Sequence, residues 1–175
     1  MEIKMLSRED ASAYWELRLE ALQLNPEAFG TSYEEAIQRT NPIELVEKNL
    51  QTEGNYTFGA YYHEKLVGMV TLVQEGGLKL RHRANIYAMY VSPQVRGQSV
   101  GKALLVEAIN KAKAIKEIEK INLSVVSTNE AAKNLYSQLG FTIFGVEEKA
   151  LKMNDTYFDE DHMALIIDKE EQCRD

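Results

Sequence analysis

A glycine-bearing junction between a strand and a helix is the segment best suited to bind an anion. The string VSPQVRGQSVGKALL occupies residues 91–105, and Gly97 and Gly101 lie between its apolar strand end and its helical part. The first amides of a helix have no internal carbonyl partners and the helix dipole adds partial positive charge, so a phosphate group could bind there. An ordinary strand–turn–helix junction is the alternative, and neither a P-loop nor a GxGxxG pattern is present.

A second segment carries an amide and a phenol at helical spacing. The string LSVVSTNEAAKNLYSQLGF, residues 123–141, reads as a strand followed by a helix. Asn129 stands at the predicted helix start and Tyr136 follows seven residues later. Because seven residues make almost two helical turns, the two side chains should share one face. Taken singly, Asn129 would be a helix cap and Tyr136 a core aromatic, so any chemistry depends on the combination.

Strands and helices that alternate along the chain must position both segments. The predicted strands are 2–6, 55–62, 66–73, 84–91, 121–126, 141–152 and 162–167, and the predicted helices are 7–23, 32–39, 42–51, 100–116 and 129–139. This order indicates a mixed sheet with helices packed on it. Neither a repeat nor a linker-like segment interrupts the sequence, so we expect one domain over residues 1–175.

Composition narrows the class of protein and its partners. Twenty lysines and arginines against 27 aspartates and glutamates give a formal net charge of −7, which disfavours nucleic acid and anionic membranes as partners. Cys173 is the only cysteine, which argues against a disulfide framework and a cysteine-based zinc site, and the three histidines lack metal-ligand spacing. No apolar run reaches about 18 residues and no secretion signal is recognisable. We therefore expect no metal, no membrane partner and a cytoplasmic protein.

Together the two segments resemble the GNAT superfamily of N-acetyltransferases, whose members transfer an acetyl group from acetyl-CoA to an amine. The family's loop pattern Gln/Arg-x-x-Gly-x-Gly/Ala matches residues 96–101, after the strand end MYVSP, and its second motif matches Asn129 and residues 132–141. The resemblance covers most of the chain. It implies an α/β (α+β) GNAT fold in which about 4–5 helices flank a central mixed, mostly antiparallel twisted sheet of about 6–7 strands.

The resemblance implies acetyl-CoA as the acyl-donor cosubstrate. The amides of residues 97–102 would bind its pyrophosphate, and the backbone of residues 89–91 would pair with the pantetheine arm and polarise the thioester carbonyl. Asn129 would hydrogen-bond the same arm. The implied cosubstrate-binding residues are Met89, Tyr90, Val91, Arg96, Gly97, Gln98, Ser99, Val100, Gly101, Lys102 and Asn129. Ser99 stands where the family usually has the central loop glycine, which we expect to weaken CoA binding at most.

The resemblance also implies a catalytic role for Tyr136, the counterpart of the family's general acid, which would protonate the departing thiolate. A general base is not evident, because Asn85 and Ser124 stand at positions where family members often carry glutamate. A water relayed through backbone carbonyls is one candidate base. Glu34 or Glu35 is another, although a solvated helix face is the simpler account of that pair.

The acceptor depends on the least diagnostic parts of the chain, the N-terminal helices and the last hairpin, which flank the substrate cleft in this family. The candidate substrate residues are Phe29, Tyr33, Glu34, Asn85, Tyr87 and Tyr157. We expect an acyltransferase that acetylates a primary amine, a small molecule in the first instance, by direct attack in a ternary complex. The alternatives are a protein or peptide N-terminal acetyltransferase and a non-catalytic acetyl-CoA-binding sensor module. Because dimers are common in this family, the resemblance also implies a possible homodimer.

Overall fold

The computed structural model of the protein describes residues 1–168, and Cys173 lies outside them. The strands are β1 (Glu2–Met5), β2 (Asn55–Tyr62), β3 (Lys65–Gln74), β4 (Arg83–Val91), β5 (Lys120–Val126), β6 (Thr142–Met153) and β7 (Thr156–Ile166). The helices are α1 (Ala11–Leu24), α2 (Tyr33–Ile37), α3 (Pro42–Gln51), α4 (Val100–Ala114) and α5 (Glu130–Gln138).

The strands form one seven-stranded sheet in the order β1-β2-β3-β4-β5-β7-β6. Neighbouring strands are antiparallel except β4 and β5, which run parallel. A parallel pair needs a long crossover, and α4 supplies it. The predicted α/β (α+β) class, with a mixed and mostly antiparallel sheet flanked by helices, is therefore confirmed.

Side chains that alternate along β3 enter two hydrophobic cores. Leu72 lies fully buried in the larger core, which also contains Leu104 of α4. Met69 lies in a smaller core that contains Leu17 of α1. Each large apolar side chain that is fully buried contributes roughly 1.5–3 kcal/mol to folding. Helices thus hold the centre of the sheet from both faces.

The sheet divides between β4 and β5. Their parallel ladder covers only residues 83–85 and 120–122. Beyond it, the register of β4 against β3 shifts, and Ala88 has a φ of 52°. Because an extra residue in one strand bends that strand, β4 turns away from β5. The edge of residues 89–91 that faces β5 therefore has no strand partner within the described part of the chain.

The two largest differences from the predicted element boundaries lie at the first helix and the last strand. The first helix is preceded by a 3₁₀ turn, Arg8–Asp10. The last strand begins at Thr156, so the prediction that it starts at His162 was wrong. The acidic residues before His162 resemble a solvated loop in sequence, but the carboxylate of Asp159 accepts a hydrogen bond of 2.7 Å from the Lys149 amide and helps to fix them in the hairpin.

Candidate functional site

The divergence of β4 and β5 opens a cleft of about 1370 Å³. Nearly all the predicted cosubstrate-binding residues line it, namely Met89, Tyr90, Val91, Arg96, Gly97, Ser99, Val100, Gly101, Lys102 and Asn129. Gln98 is exposed and does not line the cleft. Tyr136 lines the same cleft. The fold therefore brings the two sequence motifs to one cavity.

The edge of β4 presents backbone groups to the cleft, whereas the hydroxyl of the Tyr90 side chain is bonded to α1. The Tyr90 hydroxyl donates a hydrogen bond of 3.1 Å to Oε1 of Glu20 on α1. Burial and this carboxylate raise the pKa of Tyr90 to about 12. The Ser92 hydroxyl donates to the same Glu20 oxygen, so one carboxylate fixes the end of β4 to α1. The Tyr90 and Ser92 side chains thereby anchor the end of β4 to α1.

The loop between β4 and α4 presents amides to the cleft. Gly97 has a φ of 78° and Ser99 a φ of 60°, both in the left-handed region. The first amide of this helix to donate backwards is that of Ala103, to the Ser99 carbonyl at 3.0 Å. The amides of the preceding turn have no helical carbonyl partner and can bind an anion.

Arg96 and Gly101 shape this loop. Nε of Arg96 donates to the Val91 carbonyl at 2.9 Å, and Nη2 donates to Oδ1 of Asn25 at 2.8 Å. Arg96 is thus a positioning residue that ties the loop to β4 and to the end of α1. A Cβ atom at Gly101 would lie 3.1 Å from Cε of Met89 and 3.2 Å from Cδ2 of Leu135. The glycine therefore allows α4 to pack closely against β4 and α5.

Helix α5 positions both residues of the second motif. Oδ1 of Asn129 accepts a hydrogen bond of 3.1 Å from the Ala132 amide, so this residue caps the helix, and the side-chain nitrogen bonds to no described residue. Tyr136 is 6% exposed and packs edge-on against Phe141. Its hydroxyl has no hydrogen-bond partner within residues 1–168, and burial raises the pKa of Tyr136 to about 12. A protonated phenol therefore lies unbonded beside the cleft.

The two positions without the expected glutamate have different surroundings. Nδ2 of Asn85 donates a hydrogen bond of 2.8 Å to Oε1 of Glu75. Oγ of Ser124 lies 2.8 Å from Nδ1 of His162, and Nε2 of His162 lies 3.1 Å from Oε2 of Glu147. Ser124 and His162 line the cleft. Of the partners of Asn85 and Ser124, His162 on β7 is the one that both lines the cleft and can accept a proton, and the sequence did not predict it.

A further carboxyl group, that of Glu160, lines the cleft on β7 two residues before His162. Burial raises the pKa of Glu160, His162 lowers it and Glu147 raises it. Glu160 and His162 are two residues apart in β7, so their side chains lie on the same face of the sheet. The sequence could have revealed this pair, but the predicted strand began at His162 and left Glu160 out.

The predicted substrate residues divide into two groups. Phe29, Asn85 and Tyr87 line the cleft, and Tyr87 is 56% exposed. Tyr33, Glu34 and Tyr157 do not line it. Glu35 forms a capping box with Ser32 at the start of α2, so its carboxylate caps the helix there.

The polar lining of the cleft favours an anionic ligand. Two buried donor atoms without a partner among the described residues, Arg18 Nη1 and Arg83 Nε, belong to residues that line the cleft. A third unpartnered atom, Asn122 Oδ1, is an acceptor and does not contribute to this preference. The charged lining residues are Arg18, Arg39, Arg83, Arg96 and Lys102 against Glu27 and Glu160. This local excess of positive charge contrasts with the net charge of −7 of the whole chain.

Neither a metal cluster nor a membrane helix is present in the part of the chain that the structure describes. Within residues 1–168, no His, Cys, Asp and Glu side chains are grouped so as to hold a metal ion. Among the same residues, no helix combines the length and the apolar character needed to cross a bilayer.

Comparison with known proteins identifies the family. The model of the acetyltransferase (GNAT) family matches residues 16–141. A GNAT-family acetyltransferase from Streptococcus pneumoniae superimposes with a TM-score of 0.83 at 22% identity, covering 95% of this chain and 99% of that one. A putative acetyltransferase from Salmonella typhimurium, solved with its cofactor acetyl-CoA, has a TM-score of 0.80 at 21% identity over 96% and 94%. An N-acetyltransferase from Staphylococcus aureus Mu50 superimposes with a TM-score of 0.71 at 27% identity, covering 94% of this chain and 96% of that one.

The chain therefore belongs to the GNAT acetyltransferase family, and it is an acyltransferase. The features of the cleft fit acetyl-CoA as its cosubstrate: an unpaired strand edge, a helix N-terminus with free amides, and a surplus of cationic side chains. The family resemblance inferred from the two sequence motifs is confirmed.

Proposed function

We propose that this chain transfers the acetyl group of acetyl-CoA to the nitrogen of a primary amine, by direct attack in a ternary complex, and that the acceptor is a small molecule. The observation that carries the proposal is the unbonded hydroxyl of Tyr136, which borders the same cleft as the first turn of α4. A module that only senses acetyl-CoA would need the cleft but no such buried proton donor.

Residues around β4 and α4 would hold the cosubstrate, which supplies the activated thioester. The amides of residues 97–102 would bind the pyrophosphate, and the unpaired edge of residues 89–91 would pair with the pantetheine arm. The free side-chain nitrogen of Asn129 could donate to the same arm, since its Oδ1 is occupied by the helix cap. Among these groups the Val91 carbonyl is the exception, because it already accepts a hydrogen bond from Nε of Arg96.

Tyr136 would donate the proton that the leaving group requires. Carbon–sulfur bond cleavage leaves a thiolate, and the nearby phenol can transfer its proton to that sulfur. Because burial raises the pKa of Tyr136 to about 12, the hydroxyl stays protonated at neutral pH. Its lack of a competing hydrogen bond leaves it free to reorient towards the sulfur.

His162 would accept the proton that the amine loses. A carboxylate accepts hydrogen bonds, so we assign the ring proton to Nε2, which donates to Glu147, and leave Nδ1 as the acceptor. The Ser124 hydroxyl then donates to Nδ1. A proton from the amine can pass to Oγ of Ser124 while the hydroxyl proton of Ser124 passes to His162. Glu147 would stabilise the resulting imidazolium.

The test follows free thiol as it is released from acetyl-CoA. The acceptor panel contains polyamines, amino acids, aminoglycosides and peptides with free N-termini. We expect release with at least one small-molecule amine. Tight acetyl-CoA binding without release on any amine would overturn the enzyme assignment, and release with peptides alone would favour the N-terminal acetyltransferase alternative.

A further inference from the structure

Arg18 on α1 is a cation without an anionic partner in the cleft. Its guanidinium lies 4.5 Å from the centroid of the Phe29 ring. Its Nη1 atom is buried, and no described residue accepts a hydrogen bond from it. A buried polar group costs free energy unless it is hydrogen-bonded, and a buried charge costs more. This position is therefore unfavourable in the free protein.

The charges nearest to Arg18 do not compensate it. Burial lowers the pKa of Arg18, the Tyr14 hydroxyl raises it, and the positive charge of Arg39 lowers it again. Arg39 also lines the cleft. Arg39 is exposed and also interacts with the Glu35 carboxylate, so the uncompensated charge is that of Arg18, and an incoming anion would neutralise it.

Two other arginines of the cleft have protein partners, although Nε of Arg83 has none, and Lys102 belongs to the predicted pyrophosphate loop. Arg96 donates to the Val91 carbonyl and to Asn25. Arg83 lies 3.9 Å from the Glu75 carboxylate. Arg18 lies beside Phe29, and both come from the N-terminal part of the chain, whereas the predicted pyrophosphate loop follows β4.

We propose that Arg18, assisted by Arg39, binds an oxyanion carried by the acceptor, so that the acceptor is a primary amine that also bears a carboxylate, as in an amino acid. Phe29 holds the guanidinium in place by a cation–π contact, and the part of the guanidinium that lines the cleft binds the anion, whose charge also compensates the buried, unpartnered Nη1. A planar guanidinium suits a carboxylate because it can donate two parallel hydrogen bonds. The inference rests on the proposed acetyltransferase function and narrows its acceptor class.

The kinetic test compares acceptors that differ only in charge. Thiol release is measured with each of the twenty L-amino acids and with the corresponding carboxamides. We expect the wild-type protein to favour a carboxylate over its amide, and Arg18→Met to lower kcat/KM for that carboxylate by about 10- to 100-fold, as for loss of a hydrogen bond to a charged group. The same variant should leave kcat/KM for the amide and the Kd of acetyl-CoA within about twofold. Arg81→Met, in the exposed loop before β4, is the control for loss of a surface charge.

Two measurements keep this inference distinct from the proposed function. Calorimetric titration of the CoA-bound protein with the same amino acids reports anion binding without turnover, and we expect Arg18→Met to weaken that binding by about 10- to 100-fold. Absence of turnover with retained binding would refute the enzyme assignment alone. If Arg18→Met lowered kcat/KM equally for the carboxylate and the amide acceptor and also weakened acetyl-CoA binding, the inference would be overturned, because Arg18 would then bind the cosubstrate.

Stability of the unliganded protein provides the second measurement. Methionine retains the apolar contact with Phe29 but removes the uncompensated charge, so we expect Arg18→Met to raise the thermal midpoint. A lowered midpoint would mean that the guanidinium is already satisfied in the free protein, and it would overturn the inference.

Discussion

Oγ of Ser124 lies 2.8 Å from Nδ1 of His162, across the antiparallel ladder that joins β5 to β7. The two residues are direct partners in that ladder, so their contact follows from strand register rather than from a flexible loop. Glu147 on β6 holds the opposite side of the imidazole. Three neighbouring strands therefore fix one proton-accepting chain at the cleft.

The first prediction concerns His162 as the proton acceptor. His162→Gln should lower kcat/KM about 100-fold, because glutamine can form hydrogen bonds but cannot take up a proton. The Kd of acetyl-CoA should stay unchanged in calorimetry. His162→Ala should regain activity when imidazole is added. His82→Gln, in the loop before β4, serves as the control, and normal kcat/KM in His162→Gln would remove this residue from the mechanism.

The second prediction concerns Tyr136 as the proton donor. Tyr136→Phe should lower kcat by about tenfold to a hundredfold or more while acetyl-CoA binds with nearly unchanged affinity, because only the departing thiolate needs the hydroxyl. Tyr157→Phe is the matched control, since Tyr157 is 49% exposed and does not line the cleft. Thiol release and calorimetry measure the two quantities. Equal activity of the two variants would disprove the donor role.

The sequence was sufficient to predict the parts of the site that depend on local pattern. The loop before α4 and the cap and face of α5 follow from glycine placement and helical spacing, and the structure brings both to the cleft. The mixed sheet followed from the order of apolar segments. The sequence showed that Ser99 replaces a loop glycine, but it did not show that Ser99 adopts a left-handed φ of 60°, which only the folded loop reveals.

Residues that depend on long-range packing could not be predicted in this way. Ser124 and His162 are separated by 38 positions, and nothing in either local sequence specifies the register that pairs them. Arg18 occurs in α1, and a cation next to apolar positions of a helix is usually solvated. Its burial results from Phe29, which reaches it from the segment that follows the helix.

The third prediction concerns Ser99, whose φ of 60° is unfavourable for a residue with a Cβ atom. Ser99→Gly should increase the free energy of unfolding by up to about 1 kcal/mol, because relief of a left-handed conformation exceeds the entropy lost by glycine on folding. Gln98→Gly is the control in the same loop. It should decrease stability, since Gln98 is not among the positive-φ residues. Urea unfolding of both variants tests the sign, and destabilisation by Ser99→Gly would contradict it.

The fourth prediction concerns Asp10, which joins β1 and β2 to the start of α1. Burial alone would raise its pKa, but hydrogen bonds from the Ser7 amide and the Tyr61 hydroxyl and the contact with Lys4 outweigh it and lower the pKa of Asp10 from 3.8 to about 2. Each pKa unit corresponds to about 1.4 kcal/mol, so ionised Asp10 contributes about 2 kcal/mol to folding.

The sign of this pH dependence follows from a pKa that is lower in the folded than in the unfolded state. The contribution is complete above pH about 4 and disappears as the pH falls towards about 2. The gap in unfolding free energy between wild type and Asp10→Asn should therefore be near 2 kcal/mol at neutral pH and shrink across that acidic interval, as measured by urea unfolding. Glu9→Gln removes the same formal charge from an exposed neighbour and should show no comparable gap. A gap for Asp10→Asn that stays constant down to pH about 2 would mean that its carboxylate is not selectively stabilised in the folded protein.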